Sequence, residues 1–447
     1  MRRVQRPAWL TREVIGWTAF DFANQAFTMV IITALYQQFF IKQVVPMVGT
    51  SDERGKRLWE ASNITAELII IAVSPLLGAL ADFSGAKKKF LLVTYFGCVA
   101  ATFLLGLAGP GAIGLAMTCY IVGYVFFGAG ENFLNAFLPE VAQQKDMGRV
   151  SAFSWAVAYT GALISMAVGS IILALAGSGH LGFGLVCAWC GVYFLLGGLP
   201  TFFLLKERKR REALPAGQSI ATVGFHRMAS TFRDIRRYKH LMRFLVIAMI
   251  YLAGMQVVIF YAGTIASDLF GFSEGKIGIF FTQVIVTGVI GAALVGRVQD
   301  RIGTRTTIQG LLVIWALTLA VAGFATREWL FWVAANFVGL SMGALGSASR
   351  VMAGLFSPQH KAGEFFGFYG MAQKLAVILG LGFQFLLGTM GAKFNIAIGA
   401  SAIFFVIGFF LMFLVDERRG RIVAIKAARE HVRMYGDYEG TIAGDVT

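Results

Sequence analysis

Apolar residues run along this chain in stretches of about twenty, separated by short polar turns, from near the first residue to near the last. A helix rises about 1.5 Å per residue, so a run of roughly 20 apolar residues matches the hydrocarbon thickness of a bilayer. The pattern predicts spans near 14–41, 59–82, 89–108, 112–138, 150–176 and 181–205. A second set is predicted near 241–267, 275–298, 306–325, 328–356, 364–390 and 394–415. This divides the chain into an N-terminal six-helix bundle (1–205), a basic linker (206–240), a C-terminal six-helix bundle (241–416) and a tail (417–447). Within the linker, Ala221, Phe225, Met228, Phe232 and Ile235 recur at helical spacing with arginines elsewhere on the wheel, which predicts an amphipathic helix on the membrane surface.

Composition agrees with that pattern. Hydrophobic residues make up 57% and charged residues only 14% of the 447, and the mean hydropathy is +0.70. So apolar a chain cannot cover its surface in water, and lipid must serve as part of its solvent. The 53 glycines suit close approach of membrane helices.

A formal charge of +15 would suit a nucleic-acid partner if it were spread evenly. It is not. Most of the 39 lysines and arginines fall in the N-tail, the linker, the C-tail and alternate turns, which the positive-inside rule assigns to the cytoplasm together with both termini. The basic excess therefore faces anionic lipid, and nucleic acid is excluded as a partner. The apolar run after the basic N-tail carries Asp21 and Asn24 and no small-residue cleavage site, so it reads as a retained first span.

An internal repeat cuts across the spans. After the second span the chain reads Gly78, Asp82, Gly85, Lys87; after the eighth it reads Gly296, Asp300, Gly303, Arg305 at the same spacing. Pro139 and Pro358, ending the fourth and tenth spans, stand at the same offset to within one residue, and Glu131 and Arg350 precede them equally. Duplicated halves are the mark of a transporter with parallel repeats. In the motif, glycine permits a tight turn, the aspartates can accept from helix N-termini, and Lys87 and Arg305 can pair with acids on an adjacent helix end. Such a cluster predicts a cytoplasmic latch that releases as the halves rock; the alternative is a plain solvated turn.

Charge at bilayer depth needs a partner or a wet cavity. Asp21, Asn24, Gln25 and Thr28 share one face of the first span, and Glu67 lies in the second. Tyr124, Glu131 and Asn135 line the fourth, Asn336 and Arg350 the tenth, and Tyr369, Gln373 and Lys374 the eleventh. These residues are the predicted substrate or coupling-ion cavity. Glu131 and Arg350, at equivalent depths with opposite charge, are expected to interact across the halves, directly or through substrate; pairing of each within its own half is the other reading. Asp21 is either a carrier of a coupling proton or a fixed partner of Lys374.

The stretch GWTAFDFANQAF from Gly16 resembles the W-x-x-Y-D-x-A-N-S-A-F opening of one major facilitator branch, that of the autophagy-linked vacuolar amino-acid effluxers and their bacterial relatives. SPLLGALADFSGAKKK from Ser74, NAFLPEVA from Asn135, GRVSAFSWAVAYTGAL from Gly148, and SRVMAGLFSP and EFFGFYGMAQK between Ser349 and Gly382 extend the likeness over most of the chain. The resemblance implies an all-α membrane protein of the major facilitator fold, twelve helices in two bundles, in a bacterial inner (cell) membrane. It implies solute transport, with amino acids as the suggested cargo. Phe20, Gln25, Ser154 and Ala158 depart from the branch's usual residues beside the presumed cavity, which leaves the substrate open.

The expected activity is alternating-access transport of a small organic solute, with protons as a candidate coupling ion and a monomer as the default. Drug or metabolite efflux, or a receptor on the same scaffold, are the alternatives. No H-E-x-x-H, G-x-S-x-G or Walker sequence occurs, so neither an enzyme nor a cofactor is expected. The five histidines sit at span edges or outside, and Cys187 and Cys190 lie in an apolar run without basic neighbours, so no metal is expected either.

Overall fold

The computed structural model describes residues 7–46, 53–208, 237–268, 270–272, 274–323, 327–390 and 394–435. Among them every regular element is a helix. The first span, Arg12–Val44, is not one regular helix. Helix α1 (Arg12–Ala26) starts at a Thr11 cap, whose hydroxyl accepts from the Val14 amide at 3.2 Å. It widens into a π-helical turn at Phe27–Thr33, resumes as α2 (Leu35–Phe39) and widens again at Phe40–Val44. The Thr33 hydroxyl donates to the Thr28 carbonyl at 2.8 Å, five residues back, which is the spacing of the wider turn.

The first half continues with α3 (Glu53–Ser84), α4 (Lys87–Leu105), α5 (Ile113–Asn135), the short α6 (Leu138–Val141), α7 (Met147–Ala176) and α8 (His180–Leu204). The second half holds α9 (Lys239–Asp268), α10 (Glu274–Ile302), α11 (Thr304–Gly323), α12 (Glu328–Phe356), α13 (Ala362–Thr389), α14 (Phe394–Ala400) and α15 (Ala402–Leu411). The chain ends in α16 (Glu417–Tyr435). Eleven described helices are long and apolar enough to cross a bilayer. A twelfth is counted when Ile398–Leu414 and the helix beyond it, bent by 61°, are taken together. Large apolar side chains such as Phe203, Leu175 and Phe385 face outward around the helices, as lipid permits.

The predicted amphipathic helix at 221–235 lies outside the described residues. The segment from 417, expected as a tail, is helical. Gly420, Ala424, Ala427 and His431 of α16 are buried, while Arg418, Arg419, Lys426, Arg429 and Arg433 are exposed. Its buried edge rests on Phe356, and Arg421 donates to Gln144 at 3.0 Å, reaching the turn before α7.

Two long helix pairs join the halves: α3 lies along α13, and α7 along α10. The repeat exchanges one pair with the other, so the junction has approximate twofold character.

Candidate functional site

At the end of the bundles that bears the repeated motif, each junction closes glycine to glycine. A β-carbon on Gly78 would collide with the Gly363 carbonyl, and one on Gly363 would stand 2.9 Å from the Gly78 carbonyl oxygen. In the other junction, a β-carbon on Gly296 would lie 2.6 Å from that of Ala152, and one on Gly148 would strike the Asp300 carboxylate. The two aspartates play matching parts. Asp82 accepts from the Glu364 amide at 2.9 Å, at the start of α13. Asp300 accepts from the Gly148 and Arg149 amides at the start of α7 and pairs with the Arg149 guanidinium at 3.1 Å. Each caps a helix of the opposite half, where unpaired amides and the positive end of the macrodipole favour a carboxylate. Gly85 and Gly303 take positive φ (59° and 88°), where a side chain would strain the backbone.

The basic members of the motif diverge. Lys87, fully buried, pairs with Glu140 and stands 3.9 Å from Asp82. Arg305 does not meet the expectation of an acid partner: among the described residues its guanidinium forms no ion pair. It lies over the Phe413 ring at 5.3 Å and donates to the Phe413 carbonyl at 3.5 Å. The acid meets its backbone instead, as Glu417 accepts from the Arg305 amide at 2.9 Å. Glu207 does the same for the Lys88 amide at 3.2 Å. Burial raises the Glu207 carboxyl above its ordinary range, against the amide bonds that lower it. These two glutamates follow the last span of each half and cap the third, a repeat visible in the sequence as Glu207–Arg208 and Glu417–Arg418 but not singled out there.

Deeper in the bundles sit two ion pairs, and both join the halves. Arg350 of α12 donates to Asp21 of α1 at 2.8 Å and to Asn135 of α5 at 3.2 Å. It also reaches the Ser151 hydroxyl and carbonyl of α7 at 3.0 and 3.1 Å and lies over the Trp17 ring at 4.6 Å. A second-half cation is thus held wholly by first-half groups. Asp21 takes a further bond from Ser154 at 2.5 Å. The second pair is Glu67 of α3 with Lys374 of α13 at 3.4 Å; Tyr124 donates to Glu67 at 2.6 Å and offers its ring face to the ammonium at 4.9 Å. Three of the four charged residues are buried, with Asp21 8%, Glu67 5% and Arg350 4% exposed, and Lys374 is half-buried.

These pairings decide between the direct contacts expected. Arg350 reaches across the halves, but the acid it bonds directly is Asp21 and not Glu131. Lys374 is held by Glu67, so Asp21 is not its partner. The physical reason is reach: Asp21 and Ser151 flank Arg350 on α1 and α7, whereas Glu131 on α5 faces between the pairs. Glu131 is within electrostatic range of Lys374, Asp21, Arg350 and Glu67, yet has no hydrogen bond or ion pair among the described residues. Tyr369 bonds Ser349 and Gln373 beside this cluster. Asn24 is fully buried with its amide nitrogen unpartnered, as is the Thr28 hydroxyl. Asn336 is not brought in: it accepts from Gln283 at 2.9 Å and donates to the Trp332 carbonyl at 2.8 Å within its own half.

The profile of the family described as "Vacuole effluxer Atg22 like" matches residues 65–424. The chain belongs to that family. It is similar to the uncharacterized MFS-type transporter YxiO of Bacillus subtilis (strain 168), at 27% identity, with 91% of this chain and 95% of the relative covered. It also resembles the multidrug resistance protein MdtG of Dickeya zeae (strain Ech586), at 23% identity over 89% of this chain and 91% of the relative. Among solved structures it resembles FucP, a major facilitator superfamily transporter, with a TM-score of 0.69 and 15% identity over 92% of this chain and 100% of that one. The fold is therefore the major facilitator fold, in a multi-pass membrane protein. This Atg22-like chain is a transporter by family and not an enzyme.

Proposed function

We propose that this Atg22-like protein is a secondary active transporter that moves a small organic solute by alternating access, energised by a proton gradient. The observation that carries the reading is that both central ion pairs, Asp21–Arg350 and Glu67–Lys374, bridge the two halves. A charge pair spanning a moving interface is stable in one arrangement and must be re-made or neutralised in another, which ties the state of the site to the position of the halves. Asp21, Asn24, Glu67, Tyr124, Glu131, Asn135, Arg350, Tyr369, Gln373 and Lys374 make up the solute and coupling region in this reading. The glycine junctions are the gate, at the cytoplasmic end, with both termini in the cytoplasm of a bacterial cell.

The likeness to vacuole effluxers favours amino acids as cargo, and the likeness to MdtG supports drug or metabolite efflux as the second reading. Purified protein in proteoliposomes, given labelled amino acids and an imposed pH gradient, tests the first. Accumulation that collapses with the gradient supports it. Flux of amphipathic dyes alone favours the second, and no flux of any solute in either direction favours a sensor.

A further inference from the structure

The charged cluster between the halves does not balance. Asp21 faces it from α1, Glu67 from α3, Glu131 from α5, Arg350 from α12 and Lys374 from α13, with the neutral hydroxyls of Tyr124 and Tyr369 beside them. Three carboxylates meet two cations. Both cations are spoken for: Arg350 is engaged by Asp21, Asn135 and Ser151, and Lys374 by Glu67 and Tyr124. The carboxylate left over is Glu131, half-buried on α5 and without a hydrogen bond or ion pair among the described residues. An ionised carboxylate without a counter-charge is costly in a low-dielectric interior, and it takes up a cation or a proton. An arriving anion, by contrast, finds no free cation here among the described residues. Unpartnered neutral donors, among them Asn24 Nδ2, the Thr28 hydroxyl and Trp155 Nε1, suit acceptor atoms on a solute.

We propose that Glu131 holds one exchangeable positive charge, either a proton or the ammonium group of an amine-bearing solute, and that the two compete for it. The inference rests on the transporter reading and names the group that couples ion to cargo. It also says what the cargo must carry: a positively charged nitrogen, alone or in a zwitterion, and not a bare anion.

Charge counting tests it without any flux. Protons bound by detergent-purified protein are titrated between pH 4 and 10 and compared across variants. Glu131→Gln is expected to bind one proton fewer than wild type, Lys374→Gln one more, and the double variant the same number. In parallel, ethanolamine, putrescine and L-lysine are used as thermal-shift probes, with succinate as the anion control. The amines are expected to raise the melting temperature of wild type but not of Glu131→Gln. Their half-saturating concentration should rise about tenfold for each unit of pH lowered through the titration. A Glu131→Gln proton count equal to wild type overturns the proposal, as does an amine shift that survives in Glu131→Gln. The expected proton counts without any amine shift overturn the amine half alone. Intact binding with no flux in proteoliposomes would sink the transporter reading and leave Glu131 in its role. A melt of Glu131→Gln matching wild type in the absence of probe shows that the variant is folded.

Discussion

Arg350 is held by Asp21, Asn135 and Ser151 and lies over the Trp17 ring, and these neighbours set what its loss would do. Removing it leaves Asp21 buried with only Ser154 to bond, and breaking one side of a buried pair costs about 3–5 kcal/mol. Arg350→Ala is therefore expected to lower the melting temperature in detergent well below that of Asp21→Asn, in which the amide oxygen still accepts and Arg350 keeps Asn135 and Ser151. The double variant should recover part of the loss, because the orphaned charge is gone. Equal melts for the two single variants would show that Asp21 is not the stranded group. At this scale the sequence exposed the charges at depth but not their direct contacts. Depth along a helix can be counted, which placed Asp21, Glu67, Glu131, Arg350 and Lys374 in the membrane. Which acid meets which base depends on the rotation and tilt of five helices, and the cage around Arg350 is built partly of Ser151, a residue with no charge to advertise it.

The elements were legible to the extent that one physical signal defined them. Lipid-facing apolar runs gave the spans, most clearly α12, whose limits coincide with the hydropathy limits, and α8, whose edges fall within one residue of them. The interrupted first span was not legible, because wide turns at Phe27–Thr33 and Phe40–Val44 leave the run of apolar residues unbroken and hydropathy does not register them. Helix ends offer a sharper test. Glu417 caps α11 from outside the bundle, and Glu417→Ala should cost about 0.5–2 kcal/mol, the usual range for a lost cap. The effect should appear as faster hydrogen exchange confined to the first turn of α11. Uniform change across the second half would mean that Glu417 acts through α16 instead. The junction glycines make a prediction of opposite kind. Gly363→Leu places a side chain where the Gly78 carbonyl now lies, so it should force α3 and α13 apart at the motif end while leaving each half folded. A thiol probe at Ser84→Cys, near that end of α3, should react faster in the Gly363→Leu background; an unchanged rate would argue that the junction repacks without opening.

At the scale of the whole molecule, the repeat was the strongest sequence evidence, since matched spacing at Gly78 and Gly296 pointed to two equivalent halves before any contact was known. The same repeat hid how the halves meet, because Gly148 and Gly363, the glycines on the receiving side, belong to no shared motif. The transport reading requires these surfaces to part and rejoin, and one contact allows that to be arrested. The Ser151 and Ser347 hydroxyls, on α7 and α12, stand 3.0 Å apart across the junction. Cysteine is close to serine in size, so Ser151→Cys with Ser347→Cys brings two sulfurs within reach of a disulfide, and the four native cysteines are buried and unbridged. Oxidised in the membrane, the double variant is expected to lose flux in proteoliposomes and to regain it with a reductant, whereas each single variant should be indifferent to both treatments. Binding of solute from the end opposite the motif should survive the cross-link, since only the motif side is held. Flux that persists in fully cross-linked protein would mean that α7 and α12 move as one body, and the moving boundary would then have to lie elsewhere than between the two repeats.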